Sequence, residues 1–497
     1  MSVTAGSTER SPPDMKLRGL IANSLWALCC QPARWRQSRA MQNPEEAQLR
    51  VLRRLLRTHA ASAFGQRHRF TEIRSVDDFQ SSVPVSDYES LSPWIERAKS
   101  GERDVLGCGD IRAFELSSGS TSAAKFIPCT AASLAEINEA VRAWIGELFA
   151  HHPGLFGGPS WWIVSTLRKS LETTSGGIPI GLASDLDYLS AWERRLASWL
   201  FVETPSLSDL DSSLDAVLAA LLAEPDLRMI SVWNPSVLRL LVEGMTQQTS
   251  QAWPKLRVIS AWADAWAERD AATVRKLFSH AQLQPKGLLA TEGVITIPWG
   301  AGEGSVPALN SHFLEFLGAD GQVCLAHQLK THHDYEVLLS TGAGLWRYRP
   351  GDAVRVTGWE ASAPRLQFIG RTDGVCDLRG EKLHPCFVEE VLRPLAGSFA
   401  MLAPMSGQDG YALFSELMFD PAELDKALCA NPHYAHCRRI GQLKEVRVFR
   451  IQGDSSAAYL QRCIGLGQRA GTIKLVKLHR TPGWEHWFQG TWAGDGS

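Results

Sequence analysis

The sequence predicts an α/β protein: a large N-terminal domain whose mixed β-sheets are covered by helices, then a small α+β C-terminal domain. Three observations lead there. Between Ser160 and Ala290, short apolar runs alternate with helical stretches, the pattern of parallel strands joined by covering helices. From Phe313 to Gly370 the runs follow one another across short turns, as antiparallel strands do. After Arg371-Thr372-Asp373-Gly374 helices and strands mix again, which reads as a hinge into a separate small unit. A chain of 497 residues with 44% hydrophobic content can bury more than one core. We divide it into a disordered tail over residues 1–14, a large domain over 15–372 and a small domain over 373–497.

Taken in order, Lys16 and Arg18 precede an apolar stretch, Gly19 to Cys30, that resembles a signal peptide. No small-residue cleavage site follows and Arg34 and Arg36 come soon after, so the stretch reads as an amphipathic helix. Glu45 to Ala60 sets Leu49, Leu52, Leu55 and Leu56 against Arg50, Arg53, Arg54 and Arg57, a helix with a basic, solvated face. A further helix is expected from Tyr88 to Ser100. Arg112 to Leu116 alternates like a strand, and Leu134, Ile137, Val141, Trp144, Ile145 and Leu148 recur at helical spacing. In the alternating region, strands are expected at Trp161–Thr166, Arg228–Trp233, Leu256–Ala261 and Lys286–Ala290. Helices are expected at Ala191–Val202, Leu214–Ala223, Ser236–Glu243 and Trp266–His280. Antiparallel strands follow at Phe313–Leu317, Tyr335–Ser340, Leu345–Arg349, Ala353–Thr357 and Arg365–Gly370. The small domain should hold helices Phe387–Leu395 and Pro421–Ala430 and strands Ala412–Met418 and Lys444–Arg450.

Composition excludes several classes. A net charge of -2 gives no footprint for nucleic acid, and no apolar run is long enough to span a bilayer. Ten cysteines are scattered without a C-x-x-C pair, so reduced thiols in a cytoplasmic protein are expected rather than disulfides or zinc. His433, His436 and Cys437 have loosely metal-like spacing but no second pair, and read as structural.

One stretch stands out: Ser117-Ser118-Gly119-Ser120-Thr121-Ser122-Ala123-Ala124-Lys125. Five hydroxyls, a glycine and a terminal lysine suit a polyphosphate, because amides and hydroxyls donate to its oxygens and lysine neutralises its charge. An ordinary Ser/Thr turn has the same residues. The P-loop pattern G-x-x-x-x-G-K-[ST] is absent from it. In parallel sheets ligands gather at the carboxyl ends of strands, and Thr291-Glu292-Gly293 ends one expected strand as Ser117–Lys125 follows another.

Four stretches stand in order: Ser117–Lys125; Thr291-Glu292; Tyr348-Arg349-Pro350-Gly351-Asp352; and Gly370-Arg371-Thr372-Asp373, followed by Arg379-Gly380-Glu381-Lys382. That order resembles the adenylate-forming superfamily of acyl-CoA synthetases, luciferases and peptide-synthetase adenylation domains. Ala290-Thr291-Glu292-Gly293-Val294-Ile295-Thr296-Ile297-Pro298, Gly344 to Asp352 and Phe64-Gly65-Gln66-Arg67-His68 are more closely similar to the Gretchen Hagen (auxin-responsive) family of acyl acid amido synthetases, in its bacterial form. The likeness covers about Gln42 to His479.

The resemblance implies a β-barrel-like part in the large domain, a mobile small domain, and ATP and Mg²⁺ as cofactors. By implication Ser117, Ser118, Gly119, Ser120, Thr121, Ser122 and Lys125 hold the ATP phosphates, and Glu292 beside Thr291 ligates the metal. Asp352 takes the ribose hydroxyls and Arg371 sits near ribose or phosphate. Asp373 is the hinge, and Lys474 closes on the acyl-phosphate as a catalytic residue with Lys125 and Glu292. The chain departs from the wider superfamily at Ser122 and Ala124, where glycine and proline are usual, and at Leu288, where an aromatic ring is usual.

The implied chemistry needs these residue types. A carboxylate becomes an electrophile when its oxygen joins a good leaving group such as AMP, and bringing it to a triphosphate crowds like charges that Mg²⁺ and lysines must neutralise. An amine then attacks, giving an amide and AMP. The expected partners are therefore a carboxylic acid and an amine such as an amino acid, without nucleic acid or membrane. Among 18 tryptophans, Trp161, Trp162, Trp233, Trp253, Trp262 and Trp266 cluster before Glu292, which suits an aromatic or hydrophobic acid or simply fills the core. Arg168, Lys169 and Arg347 could orient an acid. Two other readings remain: a ligase that passes the acyl group to coenzyme A or a carrier thiol, and a nucleotide-binding scaffold without catalysis.

Overall fold

The computed structural model describes residues 12–117, 125–163, 172–181, 191–204, 210–243, 252–264, 267–372, 374–376, 378–379, 381–466, 468 and 473–494. The described chain opens with two helices, Pro12–Gln42 and Pro44–His59. The break between them is local: Asn43 leaves helical geometry, its side chain accepts the Glu46 N–H at 3.3 Å, and Pro44 takes a first-turn position that needs no donor. In the first helix the expected amphipathicity is inverted. Small residues, Ala22, Ala27, Cys30 and Ala33, are buried, while Leu17, Leu20, Ile21, Leu25 and Leu28 are exposed. Close packing against a later helix, Ala131–His151, explains it: a Cβ on Gly146 would come within 3.1 Å of the Cys30 carbonyl oxygen. Ion pairs Arg34–Glu147 (2.8 Å) and Arg36–Glu139 (2.7 Å) hold the same two helices.

Strands β1 (Ile111–Ser117) and β2 (Lys125–Thr130) form an antiparallel hairpin, and Thr130 caps the helix Ala131–His151 in a reciprocal box with Ser133. Next come β3 (Ser160–Trp162), β4 (Met229–Ser231), β5 (Val258–Ala261) and β6 (Gln282–Pro285), a four-stranded parallel sheet in that order. Successive side chains go to opposite faces. Met229 and Val258 join the core under the helix Ala131–His151, whereas Ile230 and Ile259 pack with Val217, Leu238, Val274 and Phe278 of the helices Leu210–Leu222 and Pro235–Glu243 and the segment Glu268–Phe278. The last strand differs from expectation. It ends at Pro285 rather than running from Lys286 to Ala290, because Gln282 and Gln284 give this half-exposed edge strand no apolar signal.

Short ribbons follow: β7 (Leu289–Ala290) with β8 (Gly293–Val294), and β9 (Thr296–Ile297) with β10 (Val306–Pro307). Strands β11 (Phe313–Gly318), β12 (Val323–Cys324), β13 (Asp334–Ser340), β14 (Asp352–Glu360) and β15 (Ala363–Arg371) make an antiparallel sheet of order β12-β11-β13-β14-β15. Ser305 bridges Leu366 of β15, so the β9–β10 ribbon carries on from the sheet edge as the barrel-like part. The strand expected over Leu345–Arg349 is reduced to single bridges at Tyr348, since Arg347 has left-handed backbone (φ 44°).

Beyond residue 376, β16 (Ala400–Pro404), β17 (Tyr411–Ser415), β18 (Arg447–Ile451) and β19 (Gly490–Trp492) form one sheet, with β17 and β18 parallel. Leu402, Leu413 and Val448 face one core, and Met401, Phe414 and Phe449 face the other. The helices Pro432–Arg439 and Ser455–Gly465, which sequence periodicity did not mark, complete this α+β unit. Among the described residues no helix is long and apolar enough to cross a membrane, and the nine cysteines whose side chains are described are free thiols.

Candidate active site

The site grows from three strand pairs that end at one place. In the first hairpin Ser117 stands opposite Lys125, so the hydroxyl-rich stretch connects two paired residues. Ser118, Gly119, Ser120, Thr121 and Ser122 lie outside the described residues. In the second, Ala290 pairs with Gly293, leaving Thr291 and Glu292 as the tip: Thr291 is exposed and Glu292 buried. In the third, Asp352 at the start of β14 pairs with Arg371 at the end of β15, with Arg371 Nη1 3.6 Å from Asp352 Oδ1.

Each pair is fixed by local chemistry. Gly351 (φ 89°) makes the turn into β14. Behind it, the Thr372 N–H donates to the Gly351 carbonyl (2.6 Å), the Thr372 hydroxyl to Glu336 (2.8 Å), and Arg371 Nη2 to the Pro350 carbonyl (2.6 Å). Under the β7–β8 tip lies the fully buried His312, where a Cβ on Gly293 would meet Nε2 at 2.5 Å. Its Nδ1 is 2.9 Å from Glu136 Oε2, which also accepts the Gly342 N–H at 2.8 Å. Sequence reasoning missed His312 and Glu136 because a lone histidine and a mid-helix glutamate carry no local signal.

Electrostatics join the three pairs. Burial pushes the Glu292 carboxyl above the usual carboxylate range; the positive charge of Arg371 opposes this, the Asp352 carboxylate adds to it, and Lys125 opposes it. Lys125, Glu292, Asp352 and Arg371 therefore share one neighbourhood, although 246 positions separate the first from the last. Asp352 is 1% exposed, and its Oδ1 accepts no hydrogen bond among the described residues. A buried carboxylate oxygen without a donor is costly, and it fits an incoming hydroxyl.

One expected residue falls elsewhere, and three more are not described. Asp373 lies outside the described residues. Arg347 is not at the site: it is buried, paired with Glu315 at 3.0 Å, and donates to the Gln80 and Val83 carbonyls. Arg168 and Lys169 also lie outside the described residues.

Lys474 lines an adjoining cleft with Trp262, Asp264, Lys286, Leu288 and Phe368. Its ammonium lies 5.0 Å from the Trp262 ring and 5.6 Å from Phe368. Val354 of β14, two residues after Asp352, and Leu366 of β15 line its wall. In this arrangement the cleft has room for only about 30 Å³. Asp264 also borders a polar cleft of about 620 Å³, and burial pushes its carboxyl up to about 6.

The comparisons agree with this architecture. The GH3 family N-terminal domain matches residues 35–259, and the GH3 family central domain matches 305–371. An indole-3-acetic acid-amido synthetase, GH3.4 of Arabidopsis thaliana, is 26% identical over 432 residues, covering 68% of this chain and 69% of its own. The 4-substituted benzoates-glutamate ligase GH3.12 of Arabidopsis thaliana is 22% identical over 404 residues, 67% of this chain and 69% of its own. Among solved structures, AtGH3.15 acyl acid amido synthetase in complex with 2,4-DB superposes with a TM-score of 0.74 at 16% identity, covering 92% of this chain and 95% of that one. A 2-hydroxyisobutyryl-CoA ligase in the postadenylation state shares the fold at a TM-score of 0.56 and 12% identity, covering 90% and 92%. Two successive domains of one family, together matching more than half of the residues, settle the assignment: the chain belongs to the GH3 family.

Proposed function

We propose that this chain is an ATP-dependent acyl acid amido synthetase that joins a carboxylic acid to an amine through an acyl-adenylate. The supporting observation is the shared neighbourhood of Lys125, Glu292, Asp352 and Arg371, brought together by three strand pairs far apart in sequence. On this reading Asp352 Oδ1, which has an ion-pair neighbour in Arg371 but no hydrogen bond among the described residues, accepts a ribose hydroxyl, and Arg371 lies against ribose or phosphate. Ser117 to Ser122 and Lys125 cradle the phosphates, with Thr291 beside Glu292. A magnesium ion held by Glu292 and phosphate oxygens would neutralise charge at the α-phosphate. No cluster of three or more His, Cys, Asp or Glu suited to a metal occurs among the described residues, and a single carboxylate shared with substrate phosphates is the usual magnesium arrangement.

In the first half-reaction a carboxylate oxygen attacks the α-phosphorus and pyrophosphate leaves. In the second the amine nitrogen attacks the acyl carbon, the bond to AMP breaks, and the nitrogen loses a proton. Lys474 would serve the first step, and Asp373 would be the hinge between a large domain ending at 372 and a small one beginning at 373. The names of the relatives point to aromatic acids and amino acids as the two substrates.

Acid-dependent exchange of labelled pyrophosphate into ATP tests the reading, with mass spectrometry of products formed from pooled amino acids and, separately, coenzyme A. Exchange with some aromatic acid and an amide product are expected. E292Q and D352N should each lower exchange by roughly a hundredfold, the cost of losing one preorganised charge at such a site. Full exchange in E292Q, or a thioester as the sole product, would overturn it.

A further inference from the structure

The carboxyl ends of the four parallel strands carry a polar site that the nucleotide cluster does not use. Trp162, Ser231, Ser260 and Gln284 stand in register across β3, β4, β5 and β6, so their side chains share one face of the sheet. Lys286, just past the end of β6, donates to Ser231 Oγ at 2.8 Å. Its ammonium is 4.8 Å from the Trp144 ring, 4.9 Å from Trp233 and 5.6 Å from Trp162. Lys286 is 4% exposed and has no carboxylate within 4.0 Å among the described residues. Burial is the sole cause pushing its pKa down to about 7; no charged neighbour takes part. Two further donors beside it have no partner among the described residues: Trp162 Nε1 and Ser260 Oγ are both buried and unbonded.

A buried lysine with two idle donors next to it is costly to keep charged, and an arriving carboxylate would hold its proton in place. Lys286 and Lys474 line the same cleft. Lys286 follows the end of β6, whereas Glu292 sits at the β7–β8 tip and Asp352 at the start of β14. Resting on the amido-synthetase reading above, we infer that Lys286 receives a second, distal carboxylate of the acyl acid. The substrate class is then a flat or extended dicarboxylic acid, one end activated at the nucleotide and the other held on Lys286 between tryptophan faces. Entry requires the cleft to widen, since in this arrangement it has room for only about 30 Å³.

The test uses matched acids of increasing length: benzoate with benzene-1,4-dicarboxylate, phenylacetate with 4-carboxyphenylacetate, and hexanoate with adipate. Each is read by pyrophosphate exchange and, without ATP, by thermal shift. For at least one pair the wild type should favour the diacid by tenfold or more in kcat/KM and show a diacid-specific thermal shift. K286M should lose both, and K286Q serves as a second variant if K286M does not fold. No preference in any pair, or a preference that survives in both variants, overturns the inference. Exchange with monoacids alone leaves the amido-synthetase reading standing while this one falls. Absence of exchange with every acid removes the parent reading, and the thermal shift then reports separately whether Lys286 binds the diacid.

Discussion

At the scale of single residues, burial decides what the charged side chains can do. Lys286 illustrates the sign. Its pKa falls from 10.5 in the open chain to about 7 in the folded protein, through desolvation. Between those values the unfolded chain holds the proton that the folded one has released, so stability rises with pH across that window. Below about 7 the folded state carries the full penalty of a buried charge. Chemical denaturation of wild type and K286M from pH 6 to 10.5 should show the wild type gaining a few kcal/mol relative to the variant, at roughly 1.4 kcal/mol for each tenfold change in proton affinity. Parallel curves would mean that Lys286 is solvated or paired. The sequence shows such residues unevenly. Glu292, Asp352 and Arg371 were legible because each sits in an ordered motif next to a glycine or proline turn. Lys286, Asp264 and His312 were not, since their character comes from being enclosed by strands that only the folded chain brings together.

At the scale of elements, the β7–β8 tip carries Glu292 only because Gly293 lets the ribbon settle on His312. A methyl group there would sit 2.5 Å from Nε2, closer than any tolerable contact. G293A should therefore cost ~1–3 kcal/mol, the usual range for overpacking a filled core. Truncating the ring should return part of that cost. A double-mutant cycle of G293A and H312A by urea unfolding checks this, with a coupling of at least about 0.5 kcal/mol expected for touching groups. Simple additivity would mean the ribbon rests on something else. Pattern reading worked best for elements with strong periodicity, such as the helices Pro44–His59 and Ala131–His151 and the strands β11 and β13. It failed where two periodicities conflict. The helix Pro12–Gln42 buries its small side and shows its large one, and β6 is a glutamine-bearing edge strand. Tertiary contact, rather than local preference, decided both.

At the scale of the whole molecule, Lys474 belongs to the part of the chain whose cores start at residue 376, yet it reaches across to the cleft of the larger part. Three contacts hold it there. Asn234 Nδ2 donates to the Ile473 carbonyl at 2.9 Å, the Tyr459 hydroxyl donates to the Lys474 carbonyl at 2.9 Å, and the ammonium rests over Trp262 and Phe368. On the proposed reading the small domain serves the two half-reactions in turn, and these contacts would form in only one of its positions. A lysine delivered this way helps only while its domain is docked. K474A should then lower pyrophosphate exchange by a hundredfold or more, in line with losing one positioned charge. Amide formation from a supplied acyl-adenylate and amine should change by no more than a few-fold in the same variant. Equal loss in the two assays would place Lys474 in the resting architecture of both steps, and the case for alternating use of the small domain would have to rest on other residues.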